Sequence, residues 1–414
     1  MKAECCHIAG DSNLSLLASS NNQFSVDVLK TLIGNEKEEK NIIMSPFNAS
    51  QSLSMLLLGS KAKTFTQLAQ TLHYDKILKD TSLLTPKNQE TLHETIKEMN
   101  EVLTKLSKHV TLDFGNGLYP DDLFPLDSHY LEVIKGMYKA KIRNLNFMKD
   151  PSNAEKIINE DTAQATKGRI QNLLPPNSLD KYTRLVLTST IYFKGDWKDK
   201  FDPSLTQKMA FMSDDGHAHD IPMMQGVKKA NYCKIAFSEH DGVGYEVKVL
   251  RLDYVDEKLA MFFVLPPQNG LSQFIKDLTP ERLNRIVTDL RLEKEIRVTI
   301  PVFKIEYETK LKDTIQALGS VDIFGNNADL SGITSASKGD IEQKLYLSQV
   351  YQKAFIEVNE EGCEAAAATG AVIALRAMLI PKEFTASRPF LYFIMDMVNS
   401  CILFIGTFVI PRSD

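Results

Sequence analysis

What this chain has little of narrows its function first. It carries one tryptophan, Trp197, and five cysteines, Cys5, Cys6, Cys233, Cys363 and Cys401, at irregular spacing. An odd, scattered set is no disulfide framework, and without a CxxC pair or a Cys/His cluster it offers no metal site. Free thiols suit a reducing compartment. The opening segment MKAECCHIAGDSNLSLLASS lacks the apolar core of about 7 to 15 residues that a secretory signal needs. The expectation is a cytosolic protein, with leaderless release to the outside as the alternative. No apolar run reaches the roughly 18 residues of a membrane-spanning helix, so no membrane partner is expected. A net charge of -5 and basic pairs as short as Lys61 with Lys63, or Lys228 with Lys229, give no reason to expect nucleic acid.

Catalytic signatures are equally scarce. No GxSxG, HExxH, P-loop or GxGxxG stands in a suitable context, and the eight histidines form no close pair with a nucleophile. Glu360 and Glu361 adjoin, but neighbours on a strand point to opposite faces and cannot flank one glycosidic bond. Catalysis by this chain is therefore not expected.

What is present reads as a folded α+β protein. Hydrophobic residues make up 43% and charged residues 24%, the balance of a chain with a large core. Apolar spacing predicts helices over 24–32, 50–58 and 90–106, the last with Leu92, Ile96, Met99, Val102, Leu103 and Leu106 on one side. Further helices are predicted over 130–137, 153–166 and 310–318, with Gly168 and Pro175-Pro176 closing the second of these. β-Branched and aromatic residues predict strands over 110–119, 185–193, 247–254, 259–265, 297–306 and 403–410. No repeat or low-complexity linker divides the chain. The expected organisation is an extension over 1–23, one domain over 24–411 and a tail over 412–414.

The most informative stretch is VNEEGCEAAAATGAVIALR, Val358 to Arg376. Four consecutive alanines favour a helix. Glycines at both ends and β-branched Val372 and Ile373 after them favour an adaptable loop or strand, so both readings stand at this point. Arg376 then sits between small and apolar neighbours, Ala374, Leu375, Ala377 and Met378, the kind of site a trypsin-like protease accepts.

Four motifs, in order, resolve the ambiguity. NIIMSPFNASQSLSMLLLGSKAKTFTQ (41–67), LTSTIYFKGDWKDKFDP (187–203), LSQVYQKAFIEVNEEGCEAAAAT (347–369) and RPFLYFIMDMVNSCILFIGTFVIP (388–411) together resemble the serpin family over nearly the whole chain. The resemblance implies a large central mixed β-sheet with further sheets, eight or nine helices, and an exposed reactive-centre loop at about 362–381. It implies a monomeric suicide substrate. A serine protease attacks the bait bond, and the cleaved loop inserts as a new central strand while the protease is still acyl-linked.

By that likeness the hinge is Glu361, Gly362, Cys363, Glu364, Ala365, Ala366, Ala367, Ala368 and Thr369. With Glu364 outward, the period of two sends Cys363, Ala365, Ala367 and Thr369 inward, and all four are small. The family's bait bond follows the fourteenth residue after the hinge glycine, which makes it Arg376-Ala377. An arginine there fits a pocket with a carboxylate at its base, so a trypsin-like serine protease is the expected covalent partner. Leu375-Arg376 is the rival bond and would favour chymotrypsin-like enzymes. A non-inhibitory chaperone, storage or carrier serpin, and a cross-class inhibitor of cysteine proteases, are the alternative functions. No cofactor is expected. A polysaccharide is not expected either, because Lys87, Lys97, Lys105 and Lys108 are spread among acids.

Departures from the family pattern gather in the sheet-opening region. Ser189 stands where Asn is usual, Gln352 where His is usual, and Asn48 where a second Ser follows Ser45-Pro46. The expectation is a rearranged hydrogen-bond network, because buried polar groups must find partners. Trp197 is expected at the top of the sheet, where insertion begins. Asp161 replaces a common helix tryptophan.

Overall fold

Ser12 accepts a hydrogen bond from the Ser15 amide and starts the first helix, α1 (Asn13–Asn35). The boundary expected before Phe24 therefore falls inside a helix. The run Ser19-Ser20-Asn21-Asn22 has a linker's composition, but its polar groups are spent on the protein. Ser20 donates to the carbonyls of Leu16 and His73, Asn21 to that of Ile402, and Asn22 both donates to the Ser400 carbonyl and accepts from the Ile402 amide. Leu17 and Ala18 are buried beside them.

The computed structural model describes residues 12–36, 40–78, 86–105, 110–238, 244–255, 257–335, 344–361 and 382–411. After α1 come β1 (Ile42–Met44), α2 (Pro46–Gly59), α3 (Ala62–Thr71), α4 (Asp75–Leu78), α5 (Pro86–Thr104), β2 (Val110–Pro120), α6 (Ser128–Tyr138), β3 (Lys141–Ile142) and α7 (Pro151–Ala165). The second half holds β4 (Leu185–Gly195), β5 (Gln207–Met212), β6 (Ala218–Ser238), β7 (Gly244–Asp253), β8 (Leu259–Leu265), α8 (Leu271–Asp277) and α9 (Pro280–Thr288). It ends with β9 (Arg291–Pro301), β10 (Phe303–Lys310), α10 (Lys312–Ala317), β11 (Gln349–Val358), β12 (Lys382–Thr385), β13 (Phe390–Asp396) and β14 (Cys401–Phe408). Ten α-helices thus stand among the described residues, against the eight or nine expected; α4 is a single turn of four residues.

Two sheets carry the fold. The larger has the order β1-β14-β13-β8-β7-β6-β9-β12, with β5 on β6. Every residue of β8, β13 and β14 is buried, so these strands read as unbroken apolar runs without alternation. The second sheet has the order β10-β11-β4-β2-β3 and is mixed: β10 with β11 and β2 with β4 are antiparallel, while β4 with β11 is parallel. The strand expected over 297–306 divides at Val302, whose amide turns to the Pro222 carbonyl, and its halves β9 and β10 serve different sheets. Continuous β-propensity hides such a switch, because it scores residues and not their partners.

Helix α5 buries Leu92, Ile96, Met99 and Leu103, as its periodicity predicts; Leu106 lies outside the described residues. His93 is buried with them. Its Nδ1 lies 2.5 Å from the Tyr138 hydroxyl and its Nε2 has no hydrogen-bond partner. Burial pushes the imidazole down to about 4, so the folded protein holds it neutral while the unfolded chain protonates near 6.5. A depressed histidine contributes stability above the unfolded pKa that is lost as pH falls from 6.5 toward 4. Urea midpoints measured at pH 7.5 and pH 4.5 should differ by a component worth about 3 kcal/mol. His93→Phe should remove that component, leaving the remaining pH dependence shallower.

Candidate functional site

The mixed sheet contains one seam unlike its neighbours. β4 and β11 run parallel and pair directly from Gln349↔Val186 to Ile356↔Phe193, with antiparallel pairs on both sides. Tyr192 and Phe355 face each other in this register and their rings stack at 4.9 Å. Arg169 lies over Tyr192 and Lys304 over Phe355, covering both rings with cations.

Behind the seam sits a buried polar cluster built on the start of α2. Ser45 caps this helix, accepting from the Asn48 amide at 3.1 Å, and Pro46 follows at a position that needs no amide. The Ser45 hydroxyl donates to the Leu403 carbonyl of β14. The Gln352 side chain then satisfies both main-chain groups of Ser45: its oxygen accepts the amide at 3.0 Å and its nitrogen donates to the carbonyl at 2.9 Å. The same nitrogen reaches the hydroxyl of Ser189, its register partner on β4, at 3.0 Å. Asn48 donates to the Thr190 carbonyl at 3.0 Å. The amides of Gln352 and Asn48 thus converge on α2 and β4 without touching each other.

Two members of this cluster were not singled out in the sequence. Ser52 donates to the Asn48 carbonyl and to the Asn116 side chain of β2 at 2.9 Å. The oxygen of Asn48 and the amide nitrogen of Asn116 have no hydrogen-bond partner. Asn116 lies between Gly115 and Gly117, a composition that suggests a turn, and only its place on a fully paired strand reveals it as buried.

Trp197 lies at the other end of the seam. It stacks on Tyr254 at 4.6 Å with planes 9° apart, and its indole N–H donates to the Asn359 carbonyl at 2.8 Å. That bond holds the chain as it leaves β11. Glu357 takes Asn359 Nδ2 and faces Lys194 at 3.5 Å; Glu360 accepts from Thr206 at 2.6 Å; the Glu361 amide donates back to Asn359 and its carboxylate faces Lys194 at 3.8 Å. Glu360 and Glu361 therefore serve separate partners. Burial, then the nearby charge of Glu357, pushes the Tyr192 hydroxyl up. Chain placement is pinned as far as Glu361. Gly362, Cys363, Glu364, Ala365, Ala366, Ala367, Ala368, Thr369, Ala374, Leu375, Arg376, Ala377 and Met378 lie outside the described residues, which resume at Lys382.

A family model described as "Serpin (serine protease inhibitor)" matches residues 19–411. The leukocyte elastase inhibitor of Xenopus laevis is 33% identical over 402 residues, covering 95% of this chain and 99% of its own. Serpin B10 of Papio anubis is 34% identical over 411 residues, covering 96% and 100%. The crystal structure of uncleaved ovalbumin superposes with a TM-score of 0.82 at 27% identity, covering 95% of this chain and 100% of that one. The chain belongs to the serpin family. By class it is a protease inhibitor and not an enzyme.

Removing the Gln352 amide leaves the Ser45 amide and the Ser189 hydroxyl buried without this partner, while the Ser45 carbonyl keeps the bond from the Ala49 amide. Gln352→Ala should cost about 3 kcal/mol, read as a lower urea midpoint of the uncleaved protein. Trp197→Phe keeps the stack on Tyr254 but drops one hydrogen bond, and should cost about 1 kcal/mol.

Proposed function

We propose that the protein is a suicide-substrate inhibitor of trypsin-like serine proteases, with Arg376-Ala377 as the bait bond. The observation that carries this reading is the parallel seam. A strand laid between β4 and β11 and running opposite to both would replace one parallel ladder by two antiparallel ones, which are slightly more stable per residue. Each inserted residue would also gain hydrogen bonds and bury alternate side chains.

The segment that could supply such a strand is tethered at both ends. It leaves β11 beside Trp197 and returns at β12, which pairs with β9 of the other sheet. While the tether is whole, filling the seam pulls against β12. Cleavage after Arg376 frees the leading part, and the residues from Gly362 to Arg376 span up to about 50 Å when extended, longer than β4. Small residues at Cys363, Ala365, Ala367 and Thr369 keep the insertion barrier low, and speed matters because hydrolysis of the acyl-enzyme competes.

Incubation with trypsin should give a covalent complex stable on a denaturing gel, and the released C-terminal fragment should begin at Ala377. Arg376→Ala should slow trypsin inhibition at least 100-fold, since the charged contact in the protease pocket is lost. Ala367→Arg should leave cleavage at Arg376 intact while abolishing the complex. Cleavage of the native protein with no complex would instead mark a substrate or carrier, and a complex with papain but not trypsin would mark a cysteine protease inhibitor.

A further inference from the structure

The seam is bridged on its front face by α7 and the segment that follows it, whose polar ties reach both halves of the sheet. Helix α7 shares an apolar cluster with Tyr119 of β2, Val186 of β4 and Tyr351 of β11, to which it contributes Ala154 and Ile158. Its last turn rests on β2 so closely that a Cβ on Gly115 would lie 2.7 Å from that of Ala165. Farther along, the trailing segment is bonded to β11: Lys353 donates to the Gln171 carbonyl at 3.0 Å and the Tyr351 hydroxyl to the Ser178 carbonyl at 3.1 Å. A new strand between β4 and β11 would push these halves apart by roughly 4.8 Å, so one set of ties must yield.

Asp161 is the charged tie made by α7 itself on the β2 side. It is 7% exposed, and its Oδ1 lies 3.4 Å from both the Lys141 ammonium and the Arg143 guanidinium, at and just beyond the edge strand β3. Its Oδ2 is buried without a hydrogen-bond partner. A buried carboxylate is costly to keep unless paired, and besides those two cations it faces the Tyr119 hydroxyl of β2, so it stays seated while α7 lies flat on the sheet. Lifting α7 would rehydrate the carboxylate but separate it from both cations. Just past α7, Arg169 and Lys167 both pair with Asp113 of β2; the Lys167 side chain is 71% exposed and water screens it, while Arg169, at 35%, is a second charged tie on this side.

We propose that Asp161 is a positioning residue that bolts α7 to the β2–β3 side of the sheet and thereby sets how fast the seam between β4 and β11 admits a new strand. The proposal rests on the inhibitory reading, in which such a strand is admitted. Asp161 acts through α7, not by contact with the incoming strand.

The test is the rate at which the full-length, uncleaved protein takes up a synthetic peptide copying residues 363–374, followed on native gels. Asp161→Asn should raise that rate about five-fold, the change that loss of one hydrogen-bonded charge pair of this exposure brings. Lys141→Ala with Arg143→Ala should raise it further, because a buried carboxylate is then left unpaired. Ile286→Val, in α9 and remote from α7, supplies a control of lowered melting temperature and should leave the uptake rate at the wild-type value. An Asp161→Asn protein that melts earlier yet takes up peptide no faster than that control overturns the bolt. Should Asp161→Asn fail to fold, Lys141→Gln tests the same tie from its half-exposed end, and an unchanged rate overturns the proposal equally. The two readings fail separately. A wild-type protein that gives no complex with trypsin, while Asp161→Asn still speeds uptake, loses the protease assignment and keeps the bolt; a wild-type inhibitor whose uptake is indifferent to Asp161 keeps the assignment and loses the bolt.

Discussion

The structure turns on one pairing, the parallel contact of β4 with β11. Around it the sheet is antiparallel, β10 with β11 on one side and β2 with β4 on the other. A parallel ladder has slanted hydrogen bonds and is slightly weaker per residue, so a long, weaker ladder runs through the centre of this sheet, beside the short parallel pair of β2 with β3 at its edge. That placement costs the folded protein little as long as the strands are braced from outside. Three braces serve: the amide cluster of Gln352, Asn48 and Ser45 behind, the Trp197 bond to Asn359 at one end, and α7 with its trailing segment in front.

These braces differ in kind. The rear cluster is neutral and satisfied mainly through main-chain groups, so it depends on geometry, and a shift of a few tenths of an ångström weakens several bonds together. The end brace combines an aromatic stack with two carboxylates that face Lys194 along the departing chain, Glu357 and Glu361, and Asn359 between them donates to Glu357. The front brace is apolar in the middle and ionic at its margin. Because each depends on a different interaction, no single change of solvent removes all three.

Much of this was legible in the sequence and some was not, for identifiable reasons. The strands β4 and β8 announce themselves because burial on both faces leaves long β-branched and aromatic runs. Ser45-Pro46 marks the start of α2 because a capping hydroxyl and a ring without an amide suit those two positions only. The domain start was expected at Phe24, inside α1, and composition does not reveal that the amides of Asn21 and Asn22 just before it are bonded to β14. The division of 297–306 into β9 and β10 was missed because both halves have the same propensity and only the partner strand changes. Asn116 and Ser52 escaped notice because their importance lies in a bond across 64 residues of sequence. The positions of Ser45, Asn48, Ser189 and Gln352 in one cluster could be anticipated, but the pattern of donors could not: Gln352 spends its oxygen on Ser45 and shares its nitrogen between Ser45 and Ser189.

The presence of glutamine at 352 has a further consequence. An imidazole in that place would change its charge within the range of about pH 5 to 8, and the bonds it makes would change with it. A carboxamide carries no such proton. Ser45, Asn48, Ser52, Asn116, Ser189 and Gln352 together contain no ionisable side chain, so the rear of the seam answers to neither acidification nor salt. Whatever acidity does to this protein acts elsewhere, because the clamp behind β4 and β11 holds no side chain that takes up a proton as the pH falls.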